Sequence, residues 1–269
     1  MPTVEANGIN LYYEETGSGP PLVCIMGITG PGNVWANHVA HWRRHFRCIT
    51  VDNRGVGQSS MPPGPYTTAM MADDYAALME RLNIERSLVI GCSMGSAIAQ
   101  QLAIRHPDRV ASVVLMCPWA RCDRYARDVF EHLRTIKARL TPNEFTRYLQ
   151  LLIFTKPYWD DDASYQTILD DRLVAAEEVQ PQPLHALEAQ TEACITHDVL
   201  DELHRIACAA LVIGGRDDIF TPRWMAEEVA ARIPRCDLHL YDGAGHAFHW
   251  ECLEDFNPRI VRWFQQQSV

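Results

Sequence analysis

Short apolar runs alternate with helical patterns over the first 118 residues of the chain. Asn7-Gly8 lies between two runs typical of strands, which predicts a β-hairpin with a two-residue turn. Later apolar runs predict buried strands, namely PLVCIM at 21–26, RCITV at 47–51, SLVIG at 87–91 and VASVVLM at 110–116. Helical patterns separate these runs, near 34–45, over about 68–82 and up to His106. Alternation of this kind predicts an α/β fold with a mostly parallel sheet covered by helices on both faces.

The pattern changes after the strand at 110–116. Charged helical patterns such as DVFEHLRTIKARL dominate residues 119–204, and no strand-like run of comparable strength occurs there. Alternation resumes with CAALVIGG at 208–215 and DLHLYDG at 237–243. The sequence therefore predicts one α/β core, formed by residues 1–118 and 205–269, with a helical cap inserted over 119–204.

Composition narrows the class of protein. Of the 269 residues, 47% are hydrophobic and 22% are charged, which is ordinary for a globular protein. No stretch approaches the roughly 20 apolar residues of a membrane span, and the N-terminus lacks a secretory signal, so we expect a soluble cytoplasmic protein. A formal net charge of −10 argues against nucleic acid or an anionic membrane as a partner. The expected partner is a small-molecule substrate, and the sequence leaves open whether the chain forms a homo-oligomer.

Metal and disulfide chemistry have little support in the sequence. The nine cysteines are an odd number, and several lie within or beside strand-like runs, which favours buried free thiols. No CxxC pair occurs, and the 11 histidines form no HExxH motif and no cluster with cysteine. We therefore expect neither a metal nor another cofactor.

The segment Gly91-Cys92-Ser93-Met94-Gly95 has the pattern G-x-S-x-G, in which a serine occupies a strained turn between a strand and a helix. The motif directly follows the predicted strand SLVI and opens the helical pattern SAIAQQLAIRH. Glycines on either side of the serine fit a bend too tight for side chains. Ser93 is therefore the candidate nucleophile.

A serine hydroxyl needs a base, and the base needs a third group to orient it. Asp218 follows the strand CAALVIGG, and His246 follows the strand DLHLYDG and a short glycine-containing turn. Both lie where ligands gather in open α/β sheets, at the carboxyl ends of strands. Asp217 is an alternative acid and His249 an alternative base, but spacing from the strands favours Asp218 and His246.

Acyl transfer also requires donors for the oxyanion that develops in the transition state. The loop Met26-Gly27-Ile28-Thr29-Gly30 follows an early strand and can bring backbone N–H groups close to Ser93. We predict the backbone N–H groups of Ile28 and Met94 as the two donors.

These motifs together resemble the α/β-hydrolase superfamily over essentially the whole chain. The matching segments are MGITG, VDNRGVGQS at 51–59, GCSMGSA, GGRDDIFTP and GAGHAFHWE. The compact cap and the segments LIFTKPYW and EAQTEACITHD look most like the 3-oxoadipate enol-lactonase and aminoacrylate-hydrolase branch. Met26 departs from the family pattern, since many members have histidine there. The resemblance implies that Asp52 and Arg54 brace loops, and that Ser93 disfavours the aspartate-dependent dehalogenase and epoxide-hydrolase chemistries.

The resemblance and the triad together imply hydrolysis of a small ester or lactone through an acyl-enzyme. A carbon–carbon hydrolase or a cofactor-free perhydrolase could use the same triad, and a ligand-binding receptor with very slow turnover is a third reading. We expect the cap to cover Ser93 and to supply substrate contacts, for which the candidates are Trp119, Phe154, Tyr158 and Trp159.

Overall fold

The computed structural model describes residues 2–177 and 181–267. Its centre is one eight-stranded sheet in the order β1-β2-β4-β3-β5-β6-β7-β8. The strands are β1 (Thr3–Ala6), β2 (Ile9–Thr16), β3 (Pro21–Ile25), β4 (Arg47–Val51), β5 (Ser87–Cys92), β6 (Val110–Met116), β7 (Ala209–Gly215) and β8 (Cys236–Tyr241). β1 and β2 form the predicted hairpin, β2 pairs with β4 in antiparallel fashion, and every neighbouring pair from β4 onward is parallel.

Helices cover both faces of the sheet. The core helices are α1 (Ala36–Trp42), α2 (Thr68–Arg81), α3 (Met94–Arg105), α9 (Arg223–Arg232), α10 (Phe248–Glu251) and α11 (Leu253–Gln265). Side chains alternate between the faces along each strand. Val23 and Ile25 of β3 accordingly pack with α2, α3 and α9, whereas Leu22 and Cys24 pack with α1 and α11. The predicted α/β fold is confirmed.

A helical segment lies between β6 and β7. It contains α4 (Arg124–Lys137), α5 (Pro142–Ile153), α6 (Lys156–Asp160), α7 (Asp162–Glu177) and α8 (Leu184–Ile195). Asp123 caps the first of these helices, and Thr141 with Glu144 forms a capping box on the second. α4 packs against α8 and α5 against α7, which makes a compact cap.

No helix in the described parts of the chain has the length and apolar character needed to cross a bilayer. All nine cysteines are free thiols, as expected from their number and positions.

Candidate active site

Ser93 occupies a strained turn between β5 and α3. Its backbone has φ 55° and ψ −120°, a combination that a residue with a side chain rarely adopts. A Cβ atom at Gly91 would collide with the carbonyl of Gly95, and one at Gly95 would collide with the carbonyl of Ile25. The two glycines of the motif are therefore required by close approach of the backbone, and together they hold Ser93 at the end of the sheet.

His246 and Asp218 form a buried pair beside this turn. His246 Nδ1 lies 2.8 Å from Asp218 Oδ2. The other carboxylate oxygen, Oδ1, accepts the backbone N–H groups of Phe220 at 2.7 Å and Thr221 at 2.9 Å. Asp217 is exposed and makes no such contact with the histidine. The structure thus places Asp218, rather than its neighbour, on the imidazole.

Ser93 and His246 line the same cavity, which has a volume of about 320 Å³. Ser93 Oγ is buried and has no hydrogen-bond partner within the described residues. A nucleophile–base contact is often long before substrate binds and shortens in the reactive complex. The arrangement therefore leaves the hydroxyl available to an incoming substrate, with the imidazole at the same cavity wall.

His249, the alternative base, belongs to a different hydrogen-bonded chain. Its Nδ1 lies 2.9 Å from His38 Nε2, and His38 Nδ1 lies 2.8 Å from Asn257 Oδ1. Burial lowers the pKa of His249 well below its usual value and lowers that of His38 to about 4. Both rings are consequently neutral near pH 7. The second ring nitrogen of His249, Nε2, lies 3.9 Å from Cys92 Sγ, so its partner is this thiol and not Ser93.

Sequence reasoning missed two residues that hold the acid and the base. Thr221 Oγ1 lies 2.9 Å from Asp218 Oδ2, 3.1 Å from His246 Nδ1 and 3.2 Å from the carbonyl oxygen of Cys117. Cys117, at the end of β6, has φ 47°, and its thiol donates to the carbonyl of His246 at 3.4 Å. The spacing of Thr221, three residues after Asp218, is the one signal that could have identified it, because hydroxyl side chains often bond to groups two to four residues away.

One group among the described residues has the donor atoms for a metal ion. Ligand atoms of Cys117, Asp218 and His246 lie within 4.8 Å of one another. However, Asp218 and His246 already bond each other, and burial raises the pKa of the Cys117 thiol well above its usual value. Because a metal binds the thiolate rather than the thiol, this group fits a hydrogen-bonded frame better than a metal site.

The predicted oxyanion donors lie on two elements beside Ser93. Met94 begins α3, where helix geometry leaves the first N–H groups without intrahelical acceptors. Ile28 lies on the loop after β3, and both Ile28 and the neighbouring Gly27 line the cavity. A Cβ on Gly27 would lie only 3.2 Å from Ser93 Cβ, so this loop passes directly alongside the serine.

Side chains from two distant segments hold this loop in place. Asn53 donates to the carbonyl of Met26 at 2.8 Å, and Asp52 Oδ1 accepts the Gly32 N–H at 2.6 Å. Thr29, which has φ 65°, donates its N–H to Gln190 Oε1 of the cap at 3.1 Å. Arg54 forms a buried ion pair with Asp74, with Nε 2.6 Å from Oδ2. Asp52 and Arg54 thus brace loops, as the resemblance implied.

The four aromatic candidates of the cap have different positions. Phe154 lines the catalytic cavity, and Tyr158 lines a cavity next to it. Trp119 and Trp159 are not among the described residues that line the catalytic cavity, so the structure does not bring these two to Ser93. Trp119 is fully buried against Phe130, with ring centroids 5.3 Å apart. Trp159 stacks instead beneath the guanidinium of Arg172. Trp119 is therefore a packing residue of the core, whereas the ring partners of Trp159 lie within the cap itself.

The catalytic cavity is mostly apolar and includes residues that sequence reasoning did not single out. They come from α5 and from the loop and helix after His246, and include Thr146, Leu149, Gln150, Ile153 and Trp250. Their spacing on α5 marks one face of a helix, but the sequence alone does not tell which face meets the core.

Comparison with known proteins agrees with this geometry. The model of the alpha/beta hydrolase fold family matches residues 20–252. A protein of Mycobacterium tuberculosis (strain CDC 1551 / Oshkosh), named as a non-heme bromoperoxidase (BpoC), is 34% identical over 95% of this chain and 98% of its own.

Two solved structures align along nearly the whole chain. A thermophilic esterase from Thermogutta terrifontis superimposes with a TM-score of 0.87 and 25% identity, covering 99% of each chain. The enol-lactonase from Burkholderia xenovorans LB400 superimposes with a TM-score of 0.88 and 26% identity, covering 98% of this chain and all of its own. The likeness to enol-lactonases read from the sequence motifs is confirmed.

Proposed function

This chain belongs to the α/β-hydrolase fold family, and from that premise we propose that it is a serine hydrolase that cleaves a small carboxylic ester or lactone. The observation that carries the proposal is the meeting of Ser93 and His246 in one cavity, with Asp218 bonded to the far nitrogen of the imidazole. The esterase and the enol-lactonase among the solved structures support the same reaction class.

The geometry supports a two-step mechanism. Ser93 Oγ attacks the substrate carbonyl while His246 Nε2 takes its proton, and Asp218 holds the imidazole in the required tautomer. The N–H groups of Ile28 and Met94 stabilise the oxyanion, and the protonated His246 then gives its proton to the leaving alcohol. In the second step His246 activates a water molecule, which releases the acid and restores Ser93.

The size of the cavity supports a small substrate. Its volume of about 320 Å³ is near the lower end of the range for ligand pockets, roughly 300–1,000 Å³. Most of the lining side chains are apolar, among them Leu149, Ile153 and Phe154. A short or branched acyl group suits such a surface better than a long chain.

The experiment that tests this proposal compares wild type with Ser93→Ala on short- and medium-chain nitrophenyl esters and on small lactones. Wild type should turn over many times, and the variant should lose at least about 10⁴-fold in kcat, as removal of a triad member does. Equal rates for the two proteins would overturn the role of Ser93. A single turnover with a retained adduct would instead support a receptor-like function.

The likeness to a protein named as a bromoperoxidase favours perhydrolysis as a second candidate. In this reaction hydrogen peroxide replaces water in the second step, so that the acyl-enzyme is released as a peracid and Ser93 regains its proton. A peracid in turn oxidises bromide. Bromination that requires both a carboxylate and peroxide, and that is lost in Ser93→Ala, would support this candidate.

A further inference from the structure

A second cavity, of about 350 Å³, adjoins the catalytic cavity. Four residues line both cavities, and we call them the neck: Val34, Phe154, Asp171 and Trp250. The remaining lining of the second cavity is more polar and includes Asn33, Asn37 and Thr167. A substrate held at Ser93 can therefore extend through the neck into a space of different chemical character.

Three aromatic rings form one wall of the second cavity. Phe154 and Tyr158 stack almost in parallel, with ring centroids 4.4 Å apart and an angle of 8° between the planes. Trp250 is tilted relative to Phe154, with ring centroids 6.2 Å apart. Faces of aromatic rings attract cations, and several rings around one space are the usual means of binding a quaternary ammonium group.

A carboxylate without a partner stands beside these rings. Asp171 has no hydrogen-bond or ion-pair partner among the described residues, although it lines both cavities. The residue is exposed, but neighbouring protein removes enough water to raise its pKa, and the charge of Asp170 raises the pKa further. A carboxylate that has lost part of its hydration without gaining a partner is stabilised when a cation binds next to it.

The charged groups that act on the Tyr158 hydroxyl are all negative. Burial raises the pKa of the Tyr158 hydroxyl, and the negative charges of Asp171, Glu251 and Asp161 raise it further. The nearest cation in sequence, Arg172, is engaged elsewhere. It donates to Gln150 Oε1 at 2.7 Å and lies over the Trp159 ring at 5.5 Å from the centroid. The second cavity therefore presents a carboxylate and aromatic side chains together.

We propose that the second cavity is a subsite for a cationic group of the substrate, a quaternary or primary ammonium, with Asp171 as its counter-ion and Phe154, Tyr158 and Trp250 as its aromatic wall. This inference rests on the proposed function, because it names the class of ester or lactone that the same site prefers. The neutral acyl part occupies the apolar catalytic cavity, and the ammonium group lies beyond the neck.

The test compares two esters of equal shape, butyrylcholine and 3,3-dimethylbutyl butyrate, which differ by one positive charge. For wild type, we expect kcat/KM to be about tenfold higher for the charged ester, the low end of what a hydrogen bond or contact to a charged group contributes. In Asp171→Asn this ratio should fall to near one. In Tyr158→Leu the ratio should fall further than in Tyr158→Phe, because phenylalanine keeps the aromatic face.

Asp170→Asn is the matched control. Asp170 is on the same helix and carries the same charge, but it bonds Gln166 at 2.8 Å and is not among the described residues that line either cavity. This variant should keep most of the preference for the charged ester. An equal loss in both variants would mean that only the general negative field matters, and a ratio of one in wild type would overturn the subsite.

Direct titration with choline and with 3,3-dimethylbutan-1-ol separates failure of the inference from failure of the proposed function. Tighter binding of choline that is lost in Asp171→Asn supports the subsite even if no ester is hydrolysed, in which case only the proposed function fails. Turnover of neutral esters together with equal binding of the two alcohols leaves the proposed function intact and refutes the subsite.

Discussion

At the scale of single residues, the distinctive feature is the hydroxyl of Thr221 between the acid and the base. It can donate its one proton to Asp218 Oδ2 or to the carbonyl of Cys117, and the ionised carboxylate is the closer and stronger acceptor. Because the same oxygen also lies beside His246 Nδ1, Thr221 restricts the positions that both side chains can take. It acts as a positioning residue and has no contact with the reacting atoms.

Replacement of Thr221 tests this role. Thr221→Val keeps the shape of the side chain but removes the hydroxyl, so we expect kcat to fall about tenfold, which corresponds to one hydrogen bond, with little change in KM. Thr221→Ser keeps the hydroxyl and should retain most of the activity. If kcat is unchanged in the valine variant while the free energy of unfolding falls, the hydroxyl is merely structural.

At the scale of secondary-structure elements, helix α8 of the cap connects through Gln190 to the loop at residues 26–30. This residue is fully buried, its Oε1 accepts the Thr29 N–H, and its Nε2 donates to the carbonyl of Arg54 at 2.9 Å. Gln182 adds a further bond to Oε1 at 2.9 Å. The cap thus does more than cover the cavity, because it fixes the loop that carries Ile28, the proposed oxyanion donor.

Gln190→Met fills a similar volume but removes all three hydrogen bonds. We expect a loss in kcat of about ten- to a hundredfold, somewhat less than for a displaced oxyanion donor, which typically costs 10²- to 10³-fold. Glu188→Gln, at an exposed position of the same helix, is the control and should behave as wild type. A change confined to KM in Gln190→Met would mean that the glutamine shapes the substrate pocket instead.

At the scale of the whole molecule, buried histidines make stability depend on pH. Burial lowers the pKa of both His38 and His197 from 6.5 to about 4. Between these values the unfolded chain binds protons that the folded chain does not, so the free energy of unfolding decreases as pH falls from about 6.5 towards 4. Between pH 4 and pH 6.5, each histidine lowers the free energy of unfolding by about 1.4 kcal/mol for every unit by which the pH falls. Above pH 6.5 the ring is neutral in both states, and its full contribution to stability is present.

Urea unfolding at pH 7.5 and pH 5 measures this effect. Wild type and His45→Gln, which alters an exposed histidine, should lose the same amount of stability between the two conditions. His38→Gln should lose less, since one of the responsible groups is gone, whatever its absolute stability. Equal losses in all three proteins would contradict the assignment to His38.

Much of the architecture follows from local patterns in the sequence. The runs at 21–26, 47–51 and 110–116 form β3, β4 and β6, because their apolar residues can be buried only between two layers of helices. Asn7 and Gly8 both adopt positive φ, as the predicted hairpin turn requires. The helix predicted near 34–45 is shorter and follows a 3₁₀ turn at Gly32–Trp35, since element ends depend on contacts outside the local sequence.

The sequence by itself determined the α/β class of the fold and the identity of Ser93, Asp218 and His246 as candidates. These depend on residue type and on position relative to a strand, which a linear pattern contains. Only the tertiary structure decided which aromatic residues reach the cavities and that Gln190 bonds Thr29, 161 residues away along the chain. Such contacts depend on how the cap rests on the core, and no local periodicity specifies that packing.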